Sequence, residues 1–261
     1  GVLLSCHSTK FLVGNYTPEN TEQSLQIIGL NKKSGNPEIL KSISGISNPS
    51  YLTFNKNKTL LFTVNENGRQ TDSVSVFRWN NSKFNLSKIG HYAAGSAPCH
   101  IILDHSEKWL AVSNYLSGDV TIYRVSAEGS LQTVQNIPLS RISGDAHAHM
   151  AQFSKDNRTL YVTDLGNDRL YEFNFDTNAT KPATLSQSYP LPKNSGPRHF
   201  VWDKNEKFLY VLTELNAEIT VFEKSAGELI QKQTISASDL PNKAENKGSA
   251  AIKISPDGKF L

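Results

Sequence analysis

Three residues of chemically useful type stand out by their positions: His149, Arg198 and Glu214. His149 and Arg198 lie 49 residues apart, and each is the second residue of a similar stretch, Ala148-His149-Met150 and Pro197-Arg198-His199. An imidazole can take a proton from water near neutral pH. A guanidinium can stabilise a developing oxyanion or grip a phosphate or carboxylate, and a carboxylate can serve as a base when burial raises its pKa. Together they are the parts of a site that activates water. A salt-bridged rim with a hydrogen-bonded histidine would use the same residues, so the trio alone leaves both readings open. Asp145, His147 and His149 alternate and would share one face of a strand, but no second His, Cys or Asp cluster at ligand spacing completes a metal site. Gly-rich phosphate loops, a Gly-x-Ser-x-Gly elbow and paired Cys-x-x-Cys motifs are missing, which excludes nucleotide hydrolysis, that type of serine esterase and structural zinc. An enzyme built on this sequence needs water rather than a covalent nucleophile.

The elements that must position these residues are set by an internal repeat. Pro49–Leu61 (PSYLTFNKNKTLL), Pro98–Leu110 (PCHIILDHSEKWL), Ala148–Leu160 (AHMAQFSKDNRTL) and Pro197–Leu209 (PRHFVWDKNEKFL) align without gaps, and Ser249–Leu261 (SAAIKISPDGKFL) is a fifth copy. Successive starts are 49 to 52 residues apart, the period of a propeller blade. Within a unit, as at His100–Asp104, Trp109–Tyr115, Val120–Val125 and Leu131–Leu139, four short segments are separated by turn residues such as Asn157 and Ser117-Gly118-Asp119. Helical periodicity is absent. The predicted fold is an all-β propeller of four-stranded blades, a radial arrangement that protects sheet edges.

Phe11–Tyr16 matches the second strand of a unit, and Ser249–Leu261 matches only a first strand. These two pieces could pair to close a five-bladed ring. The expectation preferred here is a fragment of a longer ring cut inside a second strand, whose open edges would leave the isolated 261 residues poorly stable. First-strand starts and second-strand ends share one edge of every blade, around the mouth of the channel. The residues there are Ser50, Cys99, His149, Arg198 and Ala250, then Tyr51, His100, Met150, His199 and Ala251, and at second-strand ends Asn15-Tyr16, Asn65-Glu66, Asn114-Tyr115, Asp164-Leu165 and Thr213-Glu214. At Asn65, Asn114 and Thr213 a turn-forming role is the simpler expectation.

The chain carries a formal charge of +3 and has no run of five or more Lys and Arg residues, so nucleic acid is not an indicated partner. A weakly positive field suits a small anionic substrate. No apolar stretch is long enough to span a bilayer. The two cysteines, Cys6 and Cys99, form no disulfide framework. Gly1-Val2-Leu3-Leu4-Ser5-Cys6 looks like the tail of a lipoprotein signal, so a lipid anchor at Cys6 is a possible membrane attachment. Residues 1–9 are read as a leading segment and 10–261 as the propeller domain.

Several stretches resemble a known family. His147-Ala148-His149 with Ser154–Arg169, Gly196–Phe200 with Leu209–Leu215, Asn114–Val120 and Val64-Asn65-Glu66 are similar to signature stretches of the lactonase family of seven-bladed β-propellers. The resemblance covers nearly all of the chain from Phe11. It implies a cofactor-free hydrolase acting on a small anionic sugar lactone, as in the family's 6-phosphogluconolactonases of the pentose phosphate pathway and glucose metabolism. It also implies a cytoplasmic location, with an envelope lipoprotein as the alternative. His149, Arg198 and Glu214 correspond to catalytic residues of a muconate-lactonising member, whose further arginine has no counterpart up to Leu261. His147, His199, Asn114, Tyr115, Glu66 and Asp164 are expected to contact substrate. A muconate-type lactonising activity and a non-catalytic binding propeller are the competing functions.

Overall fold

The computed structural model describes residues 7–17, 23–68, 72–142, 144–238 and 248–261. Cys6, on which the lipid-anchor expectation rests, lies outside the described residues. Nineteen strands form five antiparallel sheets in chain order. Blade 1 has three strands, β1 (His7–Gly14), β2 (Leu25–Asn31) and β3 (Pro37–Ile43). Its first strand thus begins three residues ahead of the boundary expected at residue 10. Blade 2 is β4 (Leu52–Phe54), β5 (Leu60–Asn65), β6 (Ser73–Asn80) and β7 (Asn85–Ala93). Blade 3 is β8 (Pro98–Leu103), β9 (Trp109–Asn114), β10 (Asp119–Val125) and β11 (Leu131–Pro138). Blade 4 is β12 (Ala148–Phe153), β13 (Thr159–Asp164), β14 (Arg169–Phe175) and β15 (Ala183–Pro190), and blade 5 is β16 (Pro197–Trp202), β17 (Phe208–Thr213), β18 (Glu218–Ser225) and β19 (Glu228–Ser236). The all-β propeller expected from the repeat is the fold observed.

The turn between the first two strands of each blade is encoded locally. Asn55, Asp104, Ser154, Asp203 and Ser255 hold one repeat position, and each accepts from backbone N–H groups four or five residues on. Lys58, Glu107, Asn157, Glu206 and Gly258, again equivalent, take the left-handed conformation that closes the turn.

Packing between blades supplies the core. All six residues of β5 and of β9 are buried, because second strands are covered on both faces by neighbouring blades. Phe62, Val64 and Val76 pack on Ile101, Leu110 and Tyr123 between blades 2 and 3. Trp109, Phe153, Tyr171 and Phe175 fill the space between blades 3 and 4, and Met150, Tyr161, Phe200 and Trp202 fill that between blades 4 and 5. Each fully buried side chain of this size contributes roughly 1.5–3 kcal/mol. Outer strands are wetter: β19 buries only Leu229.

Ser249–Leu261 departs from expectation. It makes the turn at Ser255–Gly258, with Gly258 N–H donating to the Ser255 carbonyl at 2.8 Å, but it forms no strand. A first strand bonds to the second strand of its own blade, and no second strand is available to it among the described residues. The segment instead docks on blade 5, where Ser249 N–H donates to the Glu214 carbonyl at 3.2 Å and Ile252 is buried. Nor does it pair with β1, which among the described residues neighbours β2 alone.

Candidate active site

The first strands β4, β8, β12 and β16 touch one another around the axis, and their starting ends frame a cavity of about 260 Å³. It is lined by Tyr16, Ser50, Tyr51, Glu66, Cys99, Tyr115, His149, Arg198, His199 and Glu214. All ten come from only three repeat positions, the first two residues after a repeat's opening residue and the residue following the second strand.

A break in strand register aims the first of these positions. In blades 3, 4 and 5 the ladder steps from Pro98↔Asn114 to His100↔Ser113, from Ala148↔Asp164 to Met150↔Thr163, and from Pro197↔Thr213 to His199↔Leu212. The skipped residues are Cys99, His149 and Arg198. A bulge of this kind leaves one residue unpaired and re-aims its side chain. Neighbouring blades fasten the bulges: Cys99 Sγ lies 3.3 Å from the His149 carbonyl oxygen, and Thr163 Oγ1 donates to the Arg198 carbonyl at 2.7 Å. Gly196, just before Pro197-Arg198, has φ +63°, and a Cβ there would sit 2.8 Å from Leu215 Cγ.

Arg198 Nε lies 2.7 Å from Glu214 Oε2, close enough to pair as ions although the N–H is not aligned for a good hydrogen bond. The guanidinium Nη1 also donates to the Ala250 carbonyl oxygen. Two of its nitrogens are thus engaged on one side, which fixes the plane of the group.

The floor is aromatic. His149 and His199 meet at 5.3 Å between ring centroids, His199 and His100 at 5.8 Å, and Tyr51 lies 4.3 Å from His100 and 6.0 Å from His199. Burial, then the Arg198 charge, hold the His149 imidazole down at about 3, and the same causes hold His199 at about 3. Burial and its two histidine neighbours push His100 well below its usual value. All three rings are therefore neutral at neutral pH. Among the described residues, His149 Nδ1 and His100 Nδ1 are buried without a hydrogen-bond partner. Burial, then Glu66, push the Cys99 thiol pKa up, so Cys99 stays protonated.

His149, Arg198, Glu214, His199, Tyr115 and Glu66 thus meet in one cavity, as their repeat positions suggested. His147, Asn114 and Asp164, expected to contact substrate, do not line it. His147 lies behind the wall: its ring stacks on Tyr115 at 4.5 Å, and its Nδ1 is 2.9 Å from the Tyr115 carbonyl oxygen. Asn114 is fully buried, with Nδ2 donating to Asp119 Oδ1 at 2.5 Å and to Thr121 Oγ1 at 3.0 Å. Asp164 is also fully buried and accepts from the His147 and Gly166 N–H groups and from Asn167 Nδ2. In blades 2, 3 and 5 the last residue of the second strand faces the turn, and the next residue, Glu66, Tyr115 or Glu214, faces the cavity. Tyr16, Ser50, Tyr51 and Cys99 were not singled out as site residues from sequence, although each is equivalent by repeat to a residue that was. Among the described residues no three metal-ligating side chains are grouped to hold an ion, and no helix is long and apolar enough to cross a membrane.

Radial four-stranded blades around a polar cavity at the channel mouth define a β-propeller. The chain belongs to the lactonase family, described as a 7-bladed β-propeller, which matches residues 10–261; it is a lactonase-type hydrolase. It is 31% identical over 260 residues to the 6-phosphogluconolactonase of Formosa agariphila, covering 95% of this chain and 73% of that one, and 29% identical to the Bacillus subtilis 6-phosphogluconolactonase, covering 97% and 74%. Among solved structures, the periplasmic gluconolactonase PpgL of Pseudomonas aeruginosa is similar with a TM-score of 0.85 and 28% identity, over 96% of this chain and 74% of that one.

Proposed function

We propose that the cavity hydrolyses the lactone of a phosphorylated sugar acid, 6-phospho-D-glucono-1,5-lactone, to its open acid, as a step of the pentose phosphate pathway. The observation that carries this reading is the juxtaposition of the Arg198–Glu214 ion pair with a neutral His149 in one small cavity. The names of the two relatives about 30% identical support the substrate. Arg198 stabilises the tetrahedral oxyanion or holds the phosphate. His149 and Glu214 are the two groups placed to take the proton from the attacking water. His199, Tyr115 and Glu66 contact the substrate, with His147 supporting Tyr115 from behind. Water attacks the carbonyl carbon, the ring C–O bond breaks, and the ring oxygen leaves as a hydroxyl with a proton returned to it. No residue is acylated.

The substrate reading places the protein in the cytoplasm, where sugar phosphates are made. Lipidation of Cys6 would place it in the envelope, and membrane fractionation of cells carrying Cys6→Ser separates the two. The test of function is hydrolysis of freshly generated 6-phosphogluconolactone by the full-length protein against the spontaneous rate. Acceleration lost in folded Arg198→Ala and His149→Ala variants is the expected result. No acceleration by the folded wild type overturns the substrate assignment.

A further inference from the structure

A second polar pair stands in the same cavity on the same two repeat positions. In blade 2, Ser50 occupies the place that Arg198 has in blade 5, and Glu66 occupies the place of Glu214. The Ser50 hydroxyl donates to Glu66 Oε2, and Glu66 N–H donates to the Asn48 carbonyl at 3.1 Å, fixing the backbone. Tyr16 lines the cavity with Ser50 and Glu66. Among the described residues no cation pairs with Glu66. The geometry is that of the Arg198–Glu214 pair with the cation replaced by a neutral hydroxyl donor.

A carboxylate offers about four acceptor positions, and Ser50 occupies part of that capacity. What remains faces the cavity and wants donors. A phosphate or carboxylate has none to give at neutral pH and is repelled there, whereas sugar hydroxyls donate well, and bonds to a charged acceptor are the stronger kind. We propose that Glu66, positioned by Ser50, is the specificity-determining residue that recognises the ring hydroxyls of the lactone and directs any anionic group to Arg198. The proposal rests on the lactonase reading of the cavity. A site built to bond a hydroxyl discriminates strongly against a ligand lacking it, because its own polar group is then left unpaired.

The experiment compares kcat/KM for D-glucono-1,5-lactone and for δ-valerolactone, a six-membered lactone without hydroxyls, in the full-length wild type, Glu66→Gln and Ser50→Ala. The wild type should favour the hydroxylated lactone. Glu66→Gln should shrink that preference by about tenfold, through KM rather than kcat, the size expected for one charge-assisted bond. Ser50→Ala, a milder change, should shrink it by about threefold by loosening Glu66. An equal fall for both lactones in folded Glu66→Gln, or an unchanged ratio, overturns the proposal. If the wild type hydrolyses neither lactone, the lactonase reading fails separately, and calorimetric binding of D-gluconate then decides. Affinity about tenfold weaker in Glu66→Gln keeps the subsite, and equal affinity removes it.

Discussion

Blades 2 and 5 meet the cavity through the same two backbone positions and give it opposite character. Blade 5 presents a guanidinium clamped by Glu214 at 2.7 Å and by the Ala250 carbonyl. Blade 2 presents a carboxylate that accepts from the Ser50 hydroxyl and, among the described residues, pairs with no cation. The supporting structure differs as well. The residue before the opening proline is Gly196 in blade 5 and Asn48 in blade 2, both with positive φ. A repeat fold therefore fixes where a side chain will stand and leaves its chemistry free, so that one exchange, Arg for Ser, turns a neutral ion pair into a net acceptor. The difference gives the cavity a direction.

The largest effect should come from removing the blade 5 cation. Arg198→Ala is expected to lower kcat/KM for the sugar lactone by about 10²–10³, the loss seen when a preorganised oxyanion partner is removed. Glu66→Gln on blade 2 should cost far less, and equal losses would erase the contrast between the blades. Steady-state hydrolysis corrected for the spontaneous rate measures both.

The floor beneath the two blades sets the next effect. His100, His149 and His199 are buried and neutral, with folded pKa values held below the ordinary 6.5, to about 3 for His149 and His199. In that window the unfolded chain binds more protons than the folded one. Stability contributed by these rings is thus full above about pH 6.5 and is lost as pH falls towards 3, by about 1 kcal/mol per pH unit for each ring. Urea unfolding of the full-length protein at pH 7.5 and 5.0 should show the drop, and replacing His100 with Gln should make it smaller, with His149 and His199 carrying the remainder.

A smaller effect sharpens the backbone side of the comparison. Gly196→Ala should destabilise by about 1–2 kcal/mol, since it forces a Cβ at φ +63° against Leu215. Asn48→Gly, at the matching place in blade 2, should change stability by a few tenths, because Asn tolerates the left-handed region. Thermal melts read both. The smallest expected signal is at Cys99, between the two blades. With its thiol held protonated by burial and by Glu66, it should react with iodoacetamide at pH 7.5 more slowly than a free thiol, and fast labelling would contradict the placement of Glu66 beside it.

Much of this was legible in the chain. The repeat fixed the blade period, and for blade 3 the expected strands agree with the observed ones to within two residues at each boundary. The cavity was legible as repeat positions, but choosing residues by type within them went astray. Asn114 and Asp164 look like ligand-binding side chains and are consumed by turns, whereas Ser50, Tyr51, Tyr16 and Cys99 look unremarkable and face the cavity. The register breaks at Cys99, His149 and Arg198 decide which side those three residues face, and a one-residue slip in a strand reverses that choice.

Residues 249–261 mark where local information ends. Their turn at Ser255–Gly258 forms as in every other unit, because a hydroxyl bonding N–H groups four and five residues away needs nothing beyond the local sequence. Among the described residues these positions pair with no strand, and a ladder needs a partner strand. The same division holds for the site. The sequence by itself determined the turns, the blade period and the residue types that arrive at the channel mouth. The tertiary structure alone decided that Arg198 would find Glu214 across the first two strands of blade 5, and that three histidines brought together from blades about fifty residues apart would lose their charge to burial.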